Sequence, residues 1–300
     1  MGAIIRDTKY RWPNGIIPYT IDPTLPDHDR VHRAIQHWET MTVIRFIEKR
    51  NFDQNYVVFA EETDPQACCH TPLGMQGGGQ QVLLATGCGV GQVIHEIGHA
   101  VGLSHEHQRN DRDRYVEVII TNVEPRFHHD VEPSPVGRSL DIGYYDYGSI
   151  MHYDQSAFGI PDTHGRAKTT IRPKYPSDPV IPNVPIGQRK ALSRGDMNTV
   201  FCAYECPNAY QPPRLQVGDR AILDPKTTAN KVREKPGVGN AAKNRLIQPG
   251  QEVGILEGPR CAANDRFVWW RVQSEEAQVE GWTAEAGADG YWLVPVFEIS

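Results

Sequence analysis

The chain has 300 residues, with 31 Lys and Arg against 37 Asp and Glu, which gives a formal net charge of −6 at pH 7. This balance argues against a nucleic-acid-binding protein, because such proteins carry a basic footprint. Hydrophobic residues make up 39% and charged residues 23%, so the chain is globular rather than disordered, and its length favours two domains. Its apolar runs are all shorter than the roughly 18 residues that indicate a membrane span.

The first hundred residues alternate strands with helices. Short apolar runs predict strands at residues 16–21, 43–47, 56–60 and 81–85. Apolar residues at helical spacing predict one helix near residues 31–38 and another at residues 92–103, which ends near Gly102. This order indicates an α+β fold.

The rest of the chain is less regular. A proline-rich irregular stretch is expected at residues 172–185, and a short helix follows Ser193. Pro207, Pro212 and Pro213 then mark a domain boundary, and the short segments beyond them predict a small all-β barrel. We therefore expect one domain at residues 1–209 and a second at residues 213–300.

The central chemical signal is the pattern H-E-I-G-H-A-V-G-L-S-H at residues 95–105. His95 and His99 lie one turn apart on one face of a helix, so their imidazoles can hold a single zinc ion. The carboxylate of Glu96 can reach a water bound to that metal. Gly102 allows a sharp turn that brings His105 back as a third ligand. Three protein ligands leave a position for water, which is typical of a catalytic zinc.

A second segment, S-I-M-H-Y at residues 149–153, supports this interpretation. Met151 beneath the three imidazoles would give them an apolar, polarizable floor. Taken alone, one methionine is more often a core residue, and it gains weight only beside the zinc pattern.

Residues 95–113 read H-E-I-G-H-A-V-G-L-S-H-E-H-Q-R-N-D-R-D, and this sequence resembles the astacin family of metzincin zinc metallopeptidases. The S-I-M-H-Y segment and the Y-R-W and I-I-P-Y segments near the start also match the family. The resemblance covers about residues 3–206. It implies a two-lobed catalytic domain with a mixed twisted sheet and an active-site helix.

The resemblance implies a role for several side chains. Glu96 is the general base on the zinc-bound water, and Tyr153 is a possible fifth zinc ligand that swings away to stabilise the oxyanion. Met151 and Glu106 give structural support, and Glu106 contacts the buried amine of a mature N-terminus that aligns with Ala3. The ligands of one catalytic Zn²⁺ are His95, His99 and His105. His107, His128, His129 and His152 fit no ligand position and are expected at the surface or in packing.

Six cysteines leave their pairing open, and astacins usually carry two disulfides. The resemblance pairs Cys88 with Cys68 or Cys69. Cys206 matches a family cysteine whose usual partner position holds Val43 here, so we expect that bridge to be absent or rewired, with Cys202 as one candidate. The resemblance favours an extracellular, secreted protein whose signal and propeptide are not present in this chain. Whether Met1-Gly2 belong to the natural protein is left open.

The C-terminal segment resembles bacterial SH3-type domains through N-K-V-R-E-K-P at residues 230–236, W-W-R-V at residues 269–272 and G-W at residues 281–282. This resemblance implies an SH3-like barrel that binds cell-wall peptide or protein. A passive spacer is the alternative.

These observations together predict a secreted, zinc-dependent endopeptidase that acts on protein or peptide substrates, with no nucleic-acid partner and no membrane span. The alternatives are a cell-wall-directed peptidase and an SH3-like wall-binding protein in which the peptidase domain is secondary. An extended substrate would pair with an edge strand at residues 69–75 or 81–85. The resemblance to astacins also implies a basic residue that favours an acidic side chain after the scissile bond, and the candidates are Lys168, Arg172, Lys174 and Arg189.

Overall fold

A computed structural model describes residues 2–64, 68–174, 184–262 and 265–296. The chain divides into two compact units, Met1–Val200 (unit 1) and Phe201–Ser300 (unit 2). The proline signals at residues 207–213 lie a few residues after this division. Most of the proline-rich stretch at residues 172–185 is outside the described residues, and so is Met1.

The described elements of unit 1 are, in chain order, β1 (Ala3–Ile5), β2 (Ile16–Ile21), α1 (Asp29–Met41), β3 (Arg45–Glu48), β4 (Tyr56–Glu61), β5 (Gly79–Leu84), α2 (Val90–Val101), β6 (Leu103–Ser104), β7 (Val116–Val118), β8 (Ser139–Asp141), β9 (Ile171–Pro173) and the start of α3 (Arg194–Tyr204). The helices and the longer strands predicted from the sequence are confirmed to within a few residues. The strands that the pattern missed have only two or three residues, too few to show a period of two.

The main sheet of unit 1 has the strand order β3-β2-β4-β5, and these strands run parallel to one another. An antiparallel bridge between His70 and Leu83 continues the sheet beyond β5, so the sheet is mixed. Helices α1 and α2 pack against each other, and the indole of Trp38 donates to the carbonyl oxygen of Ile94 at 3.0 Å. The buried face of the sheet includes Val57, Phe59 and Val82, each with no exposed surface.

Helix α2 is buried on nearly all sides, and nine of its twelve residues are buried. A helix in this position must be apolar almost all round, which is why its histidines and glutamate stand out. It ends at Gly102, whose left-handed backbone (φ 109°) lets its amide bond to the carbonyls of Gly98 and His99. The chain then turns into β6, which pairs with β1, and β1 also pairs with β8. This turn carries the residues after Gly102 back along the helix.

Unit 2 is all β after the end of α3, in the part that the structure describes. Its strands are β10 (Arg220–Leu223), β11 (Asn230–Arg233), β12 (Ala242–Ile247), β13 (Glu252–Cys261), β14 (Val268–Ser274), β15 (Val279–Ala284), β16 (Ala286–Gly287), β17 (Gly290–Tyr291) and β18 (Leu293–Pro295). Seven of these described strands form one antiparallel sheet in the order β12-β11-β15-β14-β13-β10-β18. Its buried side chains include Leu223, Trp270, Val272 and Leu293.

Two disulfides are described, Cys69–Cys88 in unit 1 and Cys206–Cys261 in unit 2. Cys68 is an exposed free thiol and Cys202 is a buried one. Cys206 therefore takes Cys261 as its partner, which corrects the suggested pairing with Cys202. Sequence spacing could not select this pair, because Cys206 and Cys261 are 55 residues apart and meet only through the fold of unit 2. None of the described helices has the length and apolar character needed to cross a membrane.

Candidate metal centre

Three imidazoles meet beside the C-terminal half of α2. One ring nitrogen from each of His95, His99 and His105 lies within 4.8 Å of the others. The Nε2 atoms of His99 and His105 are 3.1 Å apart. Two nitrogens bound to one tetrahedral zinc would be about 3.3 Å apart, given Zn–N bonds of about 2.0–2.1 Å. The separation therefore fits a shared metal ion.

The opposite nitrogen of each ring is held by the protein. Nδ1 of His95 lies 2.8 Å from the carbonyl oxygen of Ile150, and Nδ1 of His99 lies 2.9 Å from that of Leu103. Nδ1 of His105 lies 3.3 Å from Oε1 of Gln108. Because a carbonyl oxygen can only accept, the proton of each anchored ring is on Nδ1 and Nε2 keeps its lone pair. The rings are thus oriented as metal ligands.

Burial also keeps these rings uncharged. It lowers the pKa of His99 to about 4 and the pKa values of His95 and His105 well below the usual range. Neutral imidazoles are the form that binds a metal. Three nitrogen donors without a thiolate, arranged around a common point, suit a zinc ion with an open position.

Glu96 follows His95 on α2 and is 4% exposed. Its Oε2 atom is buried without a hydrogen-bond partner among the described residues. Burial raises the pKa of Glu96 to about 7, while the Thr71 side chain and, to a smaller extent, the positive charge of Arg189 act in the opposite direction. An unpartnered carboxylate oxygen beside three imidazoles is placed to accept a proton near neutral pH.

The segment that contains Met151 packs against α2 at Gly98. Met151 is 1% exposed, and its Sδ atom lies so close to Gly98 that a Cβ there would approach it to 2.6 Å. Asp196 holds the same segment: its carboxylate accepts from the hydroxyl of Ser149 at 2.6 Å and from the amide of Ile150 at 2.9 Å. Asp196 was not predicted as a site residue, since nothing in the sequence links it to residue 150.

Tyr153 is half-buried at the side of the three histidines. Its ring centroid is 4.4 Å from that of His105, and its ring stacks on His107 at 4.1 Å. Burial raises the pKa of Tyr153, so its hydroxyl stays protonated at neutral pH. His107 and His152 are fully buried and take part in packing: His107 bonds the carbonyl oxygen of Asp130 and His152 bonds the hydroxyl of Tyr145.

An open cleft of about 1190 Å³ gives access to the three histidines. Glu96, Tyr153 and Arg189 line it, together with the Cys69–Cys88 disulfide and the free Cys68. Of the four basic residues named as specificity candidates, Arg189 is the one among the described lining residues. Arg172 instead pairs with Glu117 at 2.8 Å, and Lys174 donates to the carbonyl oxygen of Asp113 at 2.6 Å.

The sequence pattern of the astacin peptidase family matches residues 4–205, which is about two thirds of the chain. The chain belongs to the astacin family. It is 38% identical over 203 residues to "Bone morphogenetic protein 1" of Xenopus laevis. The aligned region covers 65% of this chain and 27% of that protein. It is also 35% identical over 268 residues to "Zinc metalloproteinase nas-13" of Caenorhabditis elegans. That aligned region covers 88% of this chain and 54% of the relative.

A solved structure agrees with these matches. "High choriolytic enzyme 1 (HCE-1), a hatching enzyme zinc-protease" from Oryzias latipes superposes with a TM-score of 0.56 at 30% identity, covering 66% of this chain and 96% of that one. Residues 4–205 are therefore an astacin-type zinc metallopeptidase domain. The chain spans only about a fifth to a quarter of the bone morphogenetic protein 1 and tolloid-like proteins that it matches.

The astacin domain contains a buried charge cluster next to its metal centre. Glu106 has no exposed surface, and its Oε1 accepts from the amide of Asp146 at 2.8 Å and lies 3.7 Å from Nη1 of Arg109. Arg109 also forms two bonds of 2.8 Å with the carboxylate of Asp111. Oε2 of Glu106 has no described partner, and burial raises the pKa of Glu106 to about 8. The amide of Gly2 lies nearby and donates to the hydroxyl of Thr199 at 2.6 Å.

Proposed function

We propose that this protein is a secreted, zinc-dependent endopeptidase that hydrolyses peptide bonds in proteins. The observation that carries the proposal is the convergence of three neutral imidazoles beside the unpartnered Oε2 of Glu96, in a cleft open to solvent. His95, His99 and His105 would hold the zinc ion. Zinc in such a site polarises the scissile carbonyl and makes water a stronger nucleophile at neutral pH.

Glu96 acts as the general base in this proposal. Its free carboxylate oxygen takes a proton from the attacking water and later delivers it to the leaving amine. A pKa near 7, raised by burial, suits both transfers, because such a group can accept and release a proton at neutral pH. Oε2 of Glu96 is buried without a hydrogen-bond partner among the described residues, so this oxygen is available for the proton.

Tyr153 is the second catalytic residue in this proposal. Its ring is fixed against His105 and His107, and its hydroxyl remains protonated because burial raises its pKa. A protonated phenol at the edge of the site can donate to the oxyanion that forms during peptide hydrolysis. A role as a fifth zinc ligand at rest is part of the same proposal.

Arg189 is proposed to favour an acidic side chain after the scissile bond. It lines the cleft, and its Nη1 donates to the carbonyl oxygens of His152 at 2.9 Å and Gln188 at 2.8 Å, which fix the guanidinium. A positioned guanidinium pairs well with a carboxylate. The substrate backbone would pair with the cleft wall at residues 70–73, beside the edge of the main sheet.

Glu106 is proposed to receive the amine of a mature N-terminus after a propeptide is removed. The proposal is supported by the unpartnered Oε2 of Glu106 and by its closeness to Gly2, since a Cβ on Gly2 would lie 3.7 Å from that oxygen. An ammonium group attracts a carboxylate more strongly in a buried site than in water, because the local dielectric is lower there. The resemblance aligns Ala3 with this terminus.

Secretion is proposed from the two disulfides, because such bridges persist in oxidising compartments and are rare in the cytosol. Unit 2 is proposed to be an SH3-like module that binds a ligand. Its support is the sequence pattern at residues 230–236, 269–272 and 281–282, together with the antiparallel sheet. If that ligand is a cell-wall peptide, the enzyme should cleave peptidoglycan cross-links faster than casein.

The peptidase proposal is tested with Glu96→Gln, which keeps the shape of the side chain and removes its basicity. We expect a loss of about 10²–10⁴-fold in kcat for casein or a peptide substrate, with an unchanged circular dichroism spectrum. Glu132→Gln is the matched control, because Glu132 is exposed and lines the same cleft. A chelator should also abolish cleavage, and added zinc should restore it. Full activity of Glu96→Gln, or of the metal-depleted protein, would overturn the mechanism.

A further inference from the structure

Unit 2 contains a cavity of about 420 Å³ that the catalytic chemistry does not use. We call it the Trp269 cavity, and its aromatic and cationic lining residues are Phe267, Trp269, Trp292, Lys226, Lys231 and Arg233. Its volume lies within the range of about 300–1,000 Å³ that is usual for ligand pockets. The cavity is formed by residues that are far apart along the chain and belong to several strands of unit 2.

The aromatic side of the Trp269 cavity is built from rings in mutual contact. The ring centroids of Phe267 and Trp269 are 6.1 Å apart, and those of Phe267 and Trp292 are 5.7 Å apart. The indole N–H of Trp269 donates to Asp265 at 3.2 Å, and that of Trp292 donates to Asp289 at 3.1 Å. Trp269 is 3% exposed and forms the base of this wall, whereas Phe267 and Trp292 are partly buried and can offer their apolar faces to a ligand.

The other side of the cavity carries positive charge. Lys226 and Lys231 are exposed, and neither has an acidic partner within 4 Å among the described residues. Arg233 is half-buried over the Trp269 ring, and its Nε atom is buried without a described hydrogen-bond partner. Asp289 is the acidic residue in the described lining, so the three cations give this wall a positive balance.

We propose that the Trp269 cavity binds an acidic peptide segment in which carboxylates alternate with aromatic or apolar side chains. The carboxylates pair with Lys226, Lys231 and Arg233, and the flat side chains lie against Phe267 and Trp292. Arginine and aromatic residues around a concave site are the groups that contribute most to protein recognition. The proposal deepens the ligand-binding role proposed for unit 2, because it names the site and the class of ligand.

A peptide fits the cavity better than a nucleic acid does. Three lysine and arginine side chains around one pocket match a few carboxylates, whereas a phosphate backbone requires a row of contacts along its length. The astacin domain of the same chain is proposed to act on proteins, so a peptide is the ligand class that both units would meet.

The test measures binding in the full-length Glu96→Gln protein, so that the probe is not cleaved and the result does not depend on the catalytic proposal. The probe is a short fluorescein-labelled peptide that alternates Glu and Phe, and binding is followed by fluorescence anisotropy. We expect saturable binding that weakens with added salt. The same peptide with Gln in place of Glu should bind about tenfold more weakly or worse.

Two protein variants locate the site. Lys226→Gln with Lys231→Gln removes two exposed charges and should weaken binding about five- to tenfold. Trp292→Ala should weaken it by about tenfold or more, because it removes part of the aromatic wall. The matched control is Lys235→Gln with Lys243→Gln, which changes the net charge equally at positions outside the cavity and should leave binding unchanged.

Three outcomes would overturn the proposal. They are equal affinity for the Glu and Gln peptides, an equal loss in the control variant and in Lys226→Gln with Lys231→Gln, and binding of a single-stranded oligonucleotide as tight as that of the acidic peptide. Thermal unfolding of each variant checks that its fold is retained. The double lysine variant keeps the test decisive even if Trp292→Ala loses its fold, because both lysines are exposed.

Discussion

The carboxylate of Asp196 is linked to the imidazole of His95 by two hydrogen bonds, both made by the backbone of Ile150. Oδ2 of Asp196 accepts from the amide of Ile150 at 2.9 Å, and the carbonyl oxygen of Ile150 lies 2.8 Å from Nδ1 of His95. Asp196 has 1% of its surface exposed and also accepts from the amide of Ser193 at 2.9 Å. The orientation of a proposed zinc ligand therefore depends on a residue of α3.

This relationship predicts the effect of Asp196→Asn. An amide has one acceptor oxygen in place of two, so a donor near residue 150 loses its partner and the carbonyl that anchors His95 shifts. We expect zinc affinity to fall about tenfold to a hundredfold, as for other groups that orient a metal ligand. Stability should fall by about 1–3 kcal/mol. The measurements are chelator competition for zinc and urea unfolding of the metal-free protein.

Asp29→Asn is the control for this experiment. Asp29 lies at the start of α1 with an exposed side chain, and its substitution should change neither quantity by more than a small amount. If Asp196→Asn lowers stability but leaves zinc affinity unchanged, Asp196 is a structural residue without influence on His95.

Two glycines of α2 give a second prediction. Alanine in place of a helix-interior glycine normally stabilises a protein by about 0.5–1 kcal/mol. At Gly91, however, an added Cβ would lie 1.7 Å from the backbone oxygen of Arg189, which cannot move without moving its segment. At Gly98 the nearest atom is Sδ of Met151 at 2.6 Å, the end of a flexible side chain.

We therefore expect Gly91→Ala to destabilise the protein by about 3 kcal/mol and Gly98→Ala to cost less. Gly87→Ala, with nothing within 4 Å of its added Cβ, should stay within about 0.5 kcal/mol of the wild type. Urea unfolding of the three variants measures the order of their free energies of unfolding. Equal stability of Gly91→Ala and Gly87→Ala would contradict the close approach of residue 189 to α2.

The sequence predicted the meeting of His95, His99 and His105 better than it predicted the groups around them. Helix geometry alone places His95 and His99 on the same face of α2. Gly102 indicates the end of the helix and the turn that brings His105 back beside them. The groups that orient the rings are backbone carbonyls, such as that of Ile150, and any residue could supply them. Their positions arise from the tertiary fold, so no residue type in the sequence identifies them.

The same reasoning explains the remaining gaps. Four basic residues were equal candidates for the specificity pocket, and only the folded chain separates Arg189 from Lys168, Arg172 and Lys174. The pairing of Cys206 with Cys261 depends on how unit 2 folds, since the sequence alone allows each cysteine several partners and does not select one of them. Non-local contacts of this kind leave no periodic signal in a single sequence.

Arg189 leads to a prediction on substrate preference. Arg189→Gln removes one positive charge from the cleft, so an acidic side chain after the scissile bond loses its proposed partner. We expect the ratio of kcat/KM for matched Asp and Asn substrates to fall about tenfold or more. The ratio is informative because any general loss of activity affects both substrates equally. Lys168→Gln is the control, and an unchanged ratio in Arg189→Gln would assign the preference to another residue.

The last prediction concerns the pH dependence of stability and rests on Glu285 in unit 2. Its side chain has no exposed surface, Oε2 accepts from the indole of Trp270 at 2.7 Å, and Oε1 accepts from the amide of Arg214 at 2.8 Å. Burial nevertheless raises its pKa from 4.5 to about 7. The folded state thus binds the proton more tightly than the unfolded state does.

The sign follows from this difference. The tighter proton binding by Glu285 in the folded state adds to the free energy of unfolding. This contribution is fully present below the unfolded pKa of about 4.5 and is lost as the pH rises through the folded pKa of about 7. The total loss is about 3 kcal/mol at most. Glu285→Gln is neutral at every pH and should lack this decline. Urea unfolding at about pH 5 and about pH 8, followed by tryptophan fluorescence, should therefore give a stability difference between variant and wild type that grows in favour of Gln at the higher pH. Glu275→Gln, at an exposed position, should show a constant difference. If Glu285→Gln also gives a constant difference, Glu285 does not take up a proton in this pH range.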